Sequence, residues 1–202
     1  MSGNLFIVCA PSGAGKTSLV AALLTADPEI RKSVSYTTRG PRPGEVNGRD
    51  YNFVTTEEFG RMLECGEFLE SAQVHGNRYG TSHKWVTAQT AQDRDILLEI
   101  DWQGASQVRK LIPGTIGIFI LPPSFDALLA RLNKRALDTP DVIARRLENA
   151  REEMAHVVEF EYVIINEEFS RATRDLISIV RAERLKRARQ LSRHSDLINR
   201  MK

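Results

Sequence analysis

The chain has 202 residues, enough for one well-packed core with insertions. Its hydrophobic share of 42%, charged share of 27% and net charge of +2 are typical of a soluble globular protein and argue against a nucleic-acid partner. The N-terminal apolar run is short and lacks a preceding basic region, so we expect neither a signal peptide nor a membrane anchor. Because Cys9 and Cys65 have no paired spacing, we expect two buried reduced thiols and a cytoplasmic protein.

The first predicted strand, Leu5 to Cys9, leads into a turn of small residues at 10–17 with the sequence Ala-Pro-Ser-Gly-Ala-Gly-Lys-Thr. Apolar residues at helical spacing follow, so the segment predicts a strand, a phosphate loop and a helix. Glycines let backbone N–H groups turn toward phosphate oxygens, and the helix N-terminus adds partial positive charge. Lys16 is expected to reach the β- and γ-phosphates of a nucleotide, and the Thr17 hydroxyl to bind Mg²⁺.

One position of this loop departs from the usual pattern of phosphate loops, because Ala10 stands where the first glycine is common. Gly13 and Gly15 remain, so the prediction of a phosphate loop stands. The competing interpretation is a glycine-rich turn that happens to precede a helix and contacts no phosphate.

Residues 34–84 are more polar than the flanking segments and predict a small, mostly β insertion. Strands are expected at 33–38, 51–54 and 68–72, and a turn at 74–81. A helix capped by Thr55 is expected between the second and third strands, because Glu58 completes a capping box.

Two arginines in this insertion, Arg39 and Arg42, lie on a loop stiffened by prolines and glycines. Their planar guanidinium groups suit a phosphate ligand. The alternative leaves both arginines solvated, Glu70 on a solvent-facing strand, and Tyr51 and Tyr79 as half-buried packing residues.

Apolar runs in the second half of the chain predict further core strands at 96–101, 115–121 and 162–165, separated by helices. This order requires a parallel sheet with helices on both faces, which is an α/β fold. The first of these strands ends in Asp101, the position where proteins with a phosphate loop place the carboxylate on the Mg²⁺ side.

Two helix ends with arginines, joined by a polar loop between Arg135 and Pro140, predict a hinged flap. Arg131 and Arg135 end the first helix, and Arg146 belongs to the second; the alternative is an ordinary solvated helix surface. The final helix begins near Ser170 and runs into a basic segment. Packing of this helix against a second copy of the chain is left open by the sequence.

Several of these segments together resemble the guanylate kinase family, in its bacterial single-domain form, across nearly the whole chain. The matching segments are the phosphate loop at 10–17 and residues 35–42, 45–51, 66–70, 79–81, 101–105 and 131–135. The phosphate loop occurs in many nucleotide-binding proteins, whereas the segments at 35–42 and 45–51 are specific for the acceptor site of this family.

The resemblance implies transfer of a phosphoryl group from ATP to GMP with Mg²⁺. It implies a core at 1–33, 85–125 and 147–202, a GMP-binding insertion at 34–84 and a lid at 126–146. The residues implied for catalysis are Lys16, Arg39, Arg42, Arg131, Arg135 and Arg146. Those implied for ATP are Ala10, Pro11, Ser12, Gly13, Ala14, Gly15, Lys16, Thr17, Ser18, Arg131 and Asn166. Those implied for GMP are Ser35, Arg39, Arg42, Tyr51, Glu70, Tyr79, Thr81 and Asp101, with Thr17 as the metal ligand.

The chemistry of the two purines agrees with a selective role for Glu70, because guanine offers N–H donors at N1 and N2 to a carboxylate, whereas adenine N1 is an acceptor. No general base is expected, since the acceptor phosphate is largely ionised near neutral pH with a second pKa of about 6. Two alternatives remain: a non-catalytic module of the same fold that binds phosphopeptides, and a kinase of a phosphorylated sugar.

Overall fold

A central sheet of five strands organises the computed structural model, which describes residues 3–74, 76–133 and 140–201. All neighbouring strands in this sheet are parallel, and the spatial order places the first strand in the middle. From one edge to the other the strands are β2 (Ile30–Lys32), β7 (Asp95–Glu99), β1 (Leu5–Cys9), β8 (Ile116–Leu121) and β9 (Tyr162–Ile165).

Helices cover both faces of this sheet, as the α/β prediction requires. On one face, Phe6 and Val8 pack among residues of α1 (Lys16–Ala26) and α7 (Phe169–Arg184). On the other face, Leu5 and Ile7 pack against α3 (His83–Thr90) and α4 (Trp102–Leu111). The predicted fold class is therefore confirmed, and every residue of β1 is buried because its alternate side chains enter two different cores.

The predicted insertion contains a second sheet of four strands and a capped helix. Its strands are β4 (Asn52–Phe53), β3 (Tyr36–Thr37), β6 (Asn77–Ser82) and β5 (Phe68–Val74) in spatial order, and its helix is α2 (Thr56–Glu64). The Thr55 hydroxyl accepts the Glu58 N–H at 3.1 Å, as the capping pattern predicts. Two hydrogen bonds between Gln107 of α4 and the Ser71 backbone attach this sheet to the core.

Two helices, α5 (Phe125–Asn133) and α6 (Pro140–Ala155), occupy the predicted flap, and a 3₁₀ turn follows at His156–Glu159. Leu128 and Leu132 of α5 are buried against Ala150 of α6. The predicted division into core, insertion and lid stays a prediction.

The last predicted helix does not continue through the basic segment. It ends at Arg184, and α8 (Arg187–Arg193) and α9 (Ser195–Arg200) follow as separate short helices. The backbone turns at Lys186, whose φ of −56° and ψ of 135° are not helical, and the Gln190 amide donates to the Arg184 carbonyl at 2.9 Å. Among the described residues, no helix has both the length and the apolar character needed to cross a membrane.

Four local predictions differ from the structure. The short edge strand β2 was not predicted, and the predicted strand at 33–38 is reduced to the two residues of β3. The segment expected to be a turn at 74–81 is mainly strand β6, because it pairs antiparallel with β5 from Asn77 onward. Cys9 is buried, but Cys65 at the end of α2 is exposed, so the prediction of two buried thiols was wrong for the second.

Candidate active site

The phosphate loop lies between the end of β1 and the start of α1, at the carboxyl edge of the parallel sheet. Gly13 and Gly15 have φ angles of 92° and 95°, a conformation that side-chain-bearing residues rarely adopt. A Cβ on Gly15 would also lie 2.5 Å from the Asn166 Nδ2 atom. Both the backbone conformation and the lack of space therefore require glycine at this position. Ala10 does not have a positive φ, since Asp93 is the only described non-glycine residue that does. Its backbone conformation therefore suits an alanine in place of the usual glycine.

Two side chains at the start of α1 bond the last residue of β7 and the residue after it. Lys16 donates from Nζ to the Ile100 carbonyl at 3.1 Å, and Thr17 donates from its hydroxyl to Glu99 Oε1 at 2.6 Å. Glu99 also pairs with Lys32 at 3.5 Å. The carboxylate beside the Thr17 hydroxyl is therefore Glu99, whereas the sequence placed Asp101 on the Mg²⁺ side.

Asp101 has a different position because β7 ends two residues earlier, at Glu99. Its carboxylate caps α4 by accepting the Gly104 N–H at 2.9 Å. Asp101 lines the cleft, and its carboxylate lies near that of Glu70, beside Gly104.

A cleft of about 260 Å³ brings the phosphate loop and the insertion together. Its lining comes from both sheets, and most of the predicted site residues contribute to it. The predicted residues that line it are Ala10, Pro11, Ser12, Gly13, Gly15, Lys16, Thr17, Ser18, Ser35, Tyr51, Glu70, Tyr79 and Asp101. Ala14 is buried beneath the loop and is not among them.

Glu70 is a buried acid at the insertion side of the cleft, only 3% exposed. The buried Thr81 hydroxyl donates to Glu70 Oε1 at 2.5 Å. Burial is the main cause that raises the Glu70 pKa to about 7; the Asp101 charge raises it further, and the bonds from Thr81 oppose the shift. Gly104 lies directly behind the carboxylate, where a Cβ would clash. The sequence alternative of a solvent-facing Glu70 is therefore wrong.

Arg39 and Arg42, which are expected to hold the acceptor phosphate, both bond Glu45 of their own loop. Arg39 donates to both oxygens of Glu45 at 2.8 and 2.9 Å, and this bond is the main cause that raises the Arg39 pKa. Its guanidinium lies 5.3 Å from the Tyr51 ring centroid, and the Tyr51 and Tyr79 rings are 5.9 Å apart. Arg42 donates its backbone N–H to Glu45, while its side chain is exposed and does not line the cleft.

A second cavity, of about 380 Å³, also borders the phosphate loop. Its lining residues are Gly13, Gly15, Ser18, Arg131, Asn166, Glu167 and Phe169. The Asn166 amide and the Arg131 guanidinium both donate to the Ala14 carbonyl, at 2.7 and 3.4 Å, and Arg131 also donates to the Asn166 carbonyl at 2.7 Å. Arg146 lies half-buried on α6, and Arg135 lies outside the described residues.

A family model described as guanylate kinase matches residues 2–183 of the chain. The chain belongs to the guanylate kinase family. It is 58% identical over 201 residues to the guanylate kinase of Dechloromonas aromatica (strain RCB), covering 100% of both chains. The same identity and coverage relate it to the guanylate kinase of Methylobacillus flagellatus. The crystal structure of guanylate kinase from Anaplasma phagocytophilum matches with a TM-score of 0.79 at 35% identity, covering 93% of this chain and 89% of that chain.

Within this member of the guanylate kinase family, sequence reasoning assigned no role to three carboxylates at the site. Glu99 bonds Thr17, Glu45 bonds Arg39, and Glu153 of α6 accepts the Ser12 N–H at 3.2 Å. Glu45 could have been suspected, because it lies within a matching segment beside two arginines. Glu153 gave no such indication, since it belongs to a helix rich in charged residues.

Proposed function

We propose that this protein transfers the γ-phosphoryl group of ATP to GMP, giving ADP and GDP. The observation that carries this proposal is the shared cleft, in which the phosphate loop faces the buried carboxylate of Glu70. Membership of the guanylate kinase family supports the same reaction. The alternatives, a phosphopeptide-binding module and a kinase of a sugar phosphate, have no comparable support from the described geometry.

Glu70 would select guanine by accepting hydrogen bonds from N1–H and the N2 amino group. A pKa near 7 leaves this carboxyl partly protonated in the free protein, and the two guanine donors would favour its ionised form. Adenine would present an acceptor at N1 to the same oxygen atoms, leaving buried lone pairs unpaired. Thr81 would orient the carboxylate, because its hydroxyl donates to one of the two oxygen atoms. Ser35 and Asp101 line the same cleft as Glu70.

The GMP phosphate would be held by two arginines and two tyrosines: Arg39, Arg42, Tyr51 and Tyr79. Arg39 already adopts a fixed orientation through Glu45, which makes its remaining N–H groups available in a defined plane. Because the Arg42 side chain is exposed outside the cleft, binding would require the loop at 39–45 to bring it inward.

The phosphate loop would hold the donor phosphates through its N–H groups and Lys16, with Arg131 and Asn166 on the side of the second cavity. Thr17 at the start of α1 and Glu99 at the end of β7 fit a Mg²⁺ ion, because the Thr17 hydroxyl and the Glu99 carboxylate are adjacent hard oxygen donors. Mg²⁺ supplies charge neutralisation for the donor phosphates.

In the proposed reaction an ionised oxygen of the GMP phosphate attacks the γ-phosphorus of ATP, and the bond from that phosphorus to the bridging oxygen of ADP breaks. The protein aligns the two nucleotides and stabilises charge, so no protein base is needed. Arg131, Arg135 and Arg146 would neutralise the transferring group as the lid closes, and closure would exclude water as a competing acceptor.

We place the reaction in the cytoplasm, since the unpaired thiols Cys9 and Cys65 suit a reducing compartment. Self-association through the C-terminal helices is also proposed. Its support is the exposure of Leu191, Leu197 and Met201, which are 49%, 49% and 75% accessible. A sedimentation measurement that finds only monomer at assay and at tenfold higher concentration would remove this second proposal.

The experiment that tests the reaction is a coupled assay of ADP production with Mg²⁺ and ATP. GMP, AMP, ribose 5-phosphate and no acceptor are compared at equal concentrations. We expect turnover with GMP and rates near background with the other three. Turnover with the sugar phosphate alone would instead identify a sugar-phosphate kinase. A folded, ATP-binding protein that turns over no acceptor would favour the binding module.

A further inference from the structure

A side chain of the lid helix contacts the phosphate loop directly. Glu153 lies on α6 and accepts the backbone N–H of Ser12 at 3.2 Å, although the two residues are 141 positions apart in sequence. Glu153 is half-buried and lines the same cleft as Lys16 and Asp101. A carboxylate drawn out of water in this way needs a donor, and the loop N–H provides it.

The groups around Glu153 disfavour the ionised form of its carboxyl group on balance, so the carboxylate depends on the hydrogen bond that Ser12 donates. Burial is the main cause that raises its pKa, and the negative charges of Asp101 and Glu152 raise it further. The Ser12 N–H and the Lys16 ammonium act in the opposite direction. The Ser12 bond therefore compensates part of the cost of placing a carboxylate at the cleft.

The position of Glu153 along α6 relates it to the lid. Arg146 lies seven residues earlier, which is about two helical turns or roughly 10 Å along the axis, and on nearly the same face. Ala150, between them, is fully buried against Leu128 and Leu132, so this face of α6 packs against α5. The Ser12–Glu153 bond therefore attaches α6 to the loop about two turns from Arg146.

The other lid helix is attached to the same loop. Arg131 of α5 donates to the Ala14 carbonyl at 3.4 Å. Both helices that flank residues 134–139 thus contact the phosphate loop backbone, one through a carbonyl and one through an N–H group.

We propose that Glu153 is a positioning residue for phosphoryl transfer: it holds the phosphate loop at Ser12 and fixes α6, the helix that carries Arg146, against that loop. This inference rests on the proposed function, because it takes the loop as the ATP site. Glu153 contacts the loop backbone and acts through the loop and through Arg146.

The test compares Glu153→Ala, Glu153→Gln and the control Glu152→Ala, which removes an exposed acid one position earlier on the same helix. We expect Glu153→Ala to weaken Mg²⁺-ATP binding about tenfold and to lower kcat by a similar factor, with KM for GMP unchanged. Glu153→Gln should stay within about twofold of the wild type, since its amide oxygen still accepts the Ser12 N–H. Glu152→Ala should match the wild type.

Two further measurements do not depend on turnover. Amide hydrogen exchange at Ser12 should accelerate in Glu153→Ala and not in Glu153→Gln, and calorimetric titration with Mg²⁺-ATP should rank the variants in the same order. These readouts remain informative even if the wild type phosphorylates no acceptor, so the two proposals can fail separately. If the alanine variant does not fold, Glu153→Met replaces it, because it keeps the side-chain length without an acceptor oxygen.

If Glu153→Ala, or Glu153→Met in its place, keeps the ATP affinity and kcat of the wild type, the positioning role is overturned. An equal loss in Glu153→Gln and Glu153→Ala would also overturn it, because the negative charge and not the hydrogen bond would then matter.

Discussion

Lys16 is the cation that the fold places at the base of the phosphate loop, with its ammonium group 3.1 Å from the Ile100 carbonyl. Its replacement removes a positioned charge from the donor phosphates, so we expect Lys16→Ala to lower kcat by about 10²- to 10³-fold. The coupled ADP assay measures the effect. Lys110→Ala, which removes an exposed lysine from α4, is the matched control and should keep full activity. A retained rate in Lys16→Ala with intact thermal unfolding would contradict the loop assignment.

Glu70 makes folding stability depend on pH in a definite direction. Burial raises its pKa from 4.5 to about 7 in the folded protein, so folding favours the neutral carboxyl group. The stability associated with this neutral form is fully present below the unfolded pKa and is lost as pH rises through 7. Glu70→Gln is neutral at every pH and removes this titration.

We therefore expect the unfolding free energy of the wild type, relative to Glu70→Gln, to fall by about 2 kcal/mol between about pH 5.5 and 8.5. Urea unfolding of both proteins at the two pH values measures this difference. Glu67→Gln, at an exposed position before the same strand, should track the wild type. A difference that stays constant across this range, or that rises with pH, would contradict the assignment of the shift to burial.

The phosphate loop depends on contacts from other elements for its shape. Asn166, immediately after β9, donates to the Ala14 carbonyl at 2.7 Å and lies against Gly15. The same residue lines the second cavity, and the resemblance to the guanylate kinase family implies that it binds ATP, through the phosphates or through adenine. These two roles, supporting the loop and contacting the base, predict different behaviour toward nucleotides that differ only in the base.

We expect Asn166→Ala to weaken the binding of ATP and of GTP alike, by about tenfold, because a loosened loop affects the phosphates that both nucleotides share. KM for GMP should not change, since the acceptor residues lie on the insertion. Calorimetric titration with each Mg²⁺-nucleotide measures the effect. A loss confined to ATP would show that Asn166 acts through adenine and not through the loop.

In the molecule as a whole, the two ends of the parallel sheet serve different purposes. The cleft lies at the carboxyl ends of β1 and β7, the edge at which open α/β sheets bind ligands. At the opposite end, Arg184 of α7 bonds Asp27 after α1 and Asp95 at the start of β7. These three side chains are 15%, 8% and 10% exposed, so the network is largely removed from water and joins three elements of the core.

We expect Arg184→Ala to lower the unfolding free energy by about 3–5 kcal/mol, because it leaves two buried carboxylates without their partner. The kcat of the fraction that remains folded should be unchanged, since the network lies at the other end of the sheet from the cleft. Urea unfolding and the coupled assay provide the two measurements. Arg181→Ala, at an exposed position of α7, should be nearly neutral in both. Loss of kcat without loss of stability would contradict this separation.

Features that depend on neighbouring residues could be predicted from the sequence. The strand, phosphate loop and first helix follow from a local pattern, and the structure has β9 at the predicted Tyr162–Ile165. The Thr55 cap follows from residues three positions apart. Hydrophobic periodicity then determined the parallel sheet with helices on both faces, because buried strands separated by helices admit few other arrangements.

Contacts between distant segments were decided only by the tertiary structure. Glu99 and Glu153 meet the phosphate loop across separations of 82 and 141 residues, and no local pattern encodes such pairs. Strand β2 was overlooked because three residues with one buried side chain carry too little periodicity, and β6 because its partner β5 makes it a strand. Asp101 caps a helix, whereas Glu99 lies beside Thr17. This difference depends on where β7 ends relative to β1, and the pairing of the two strands sets that position.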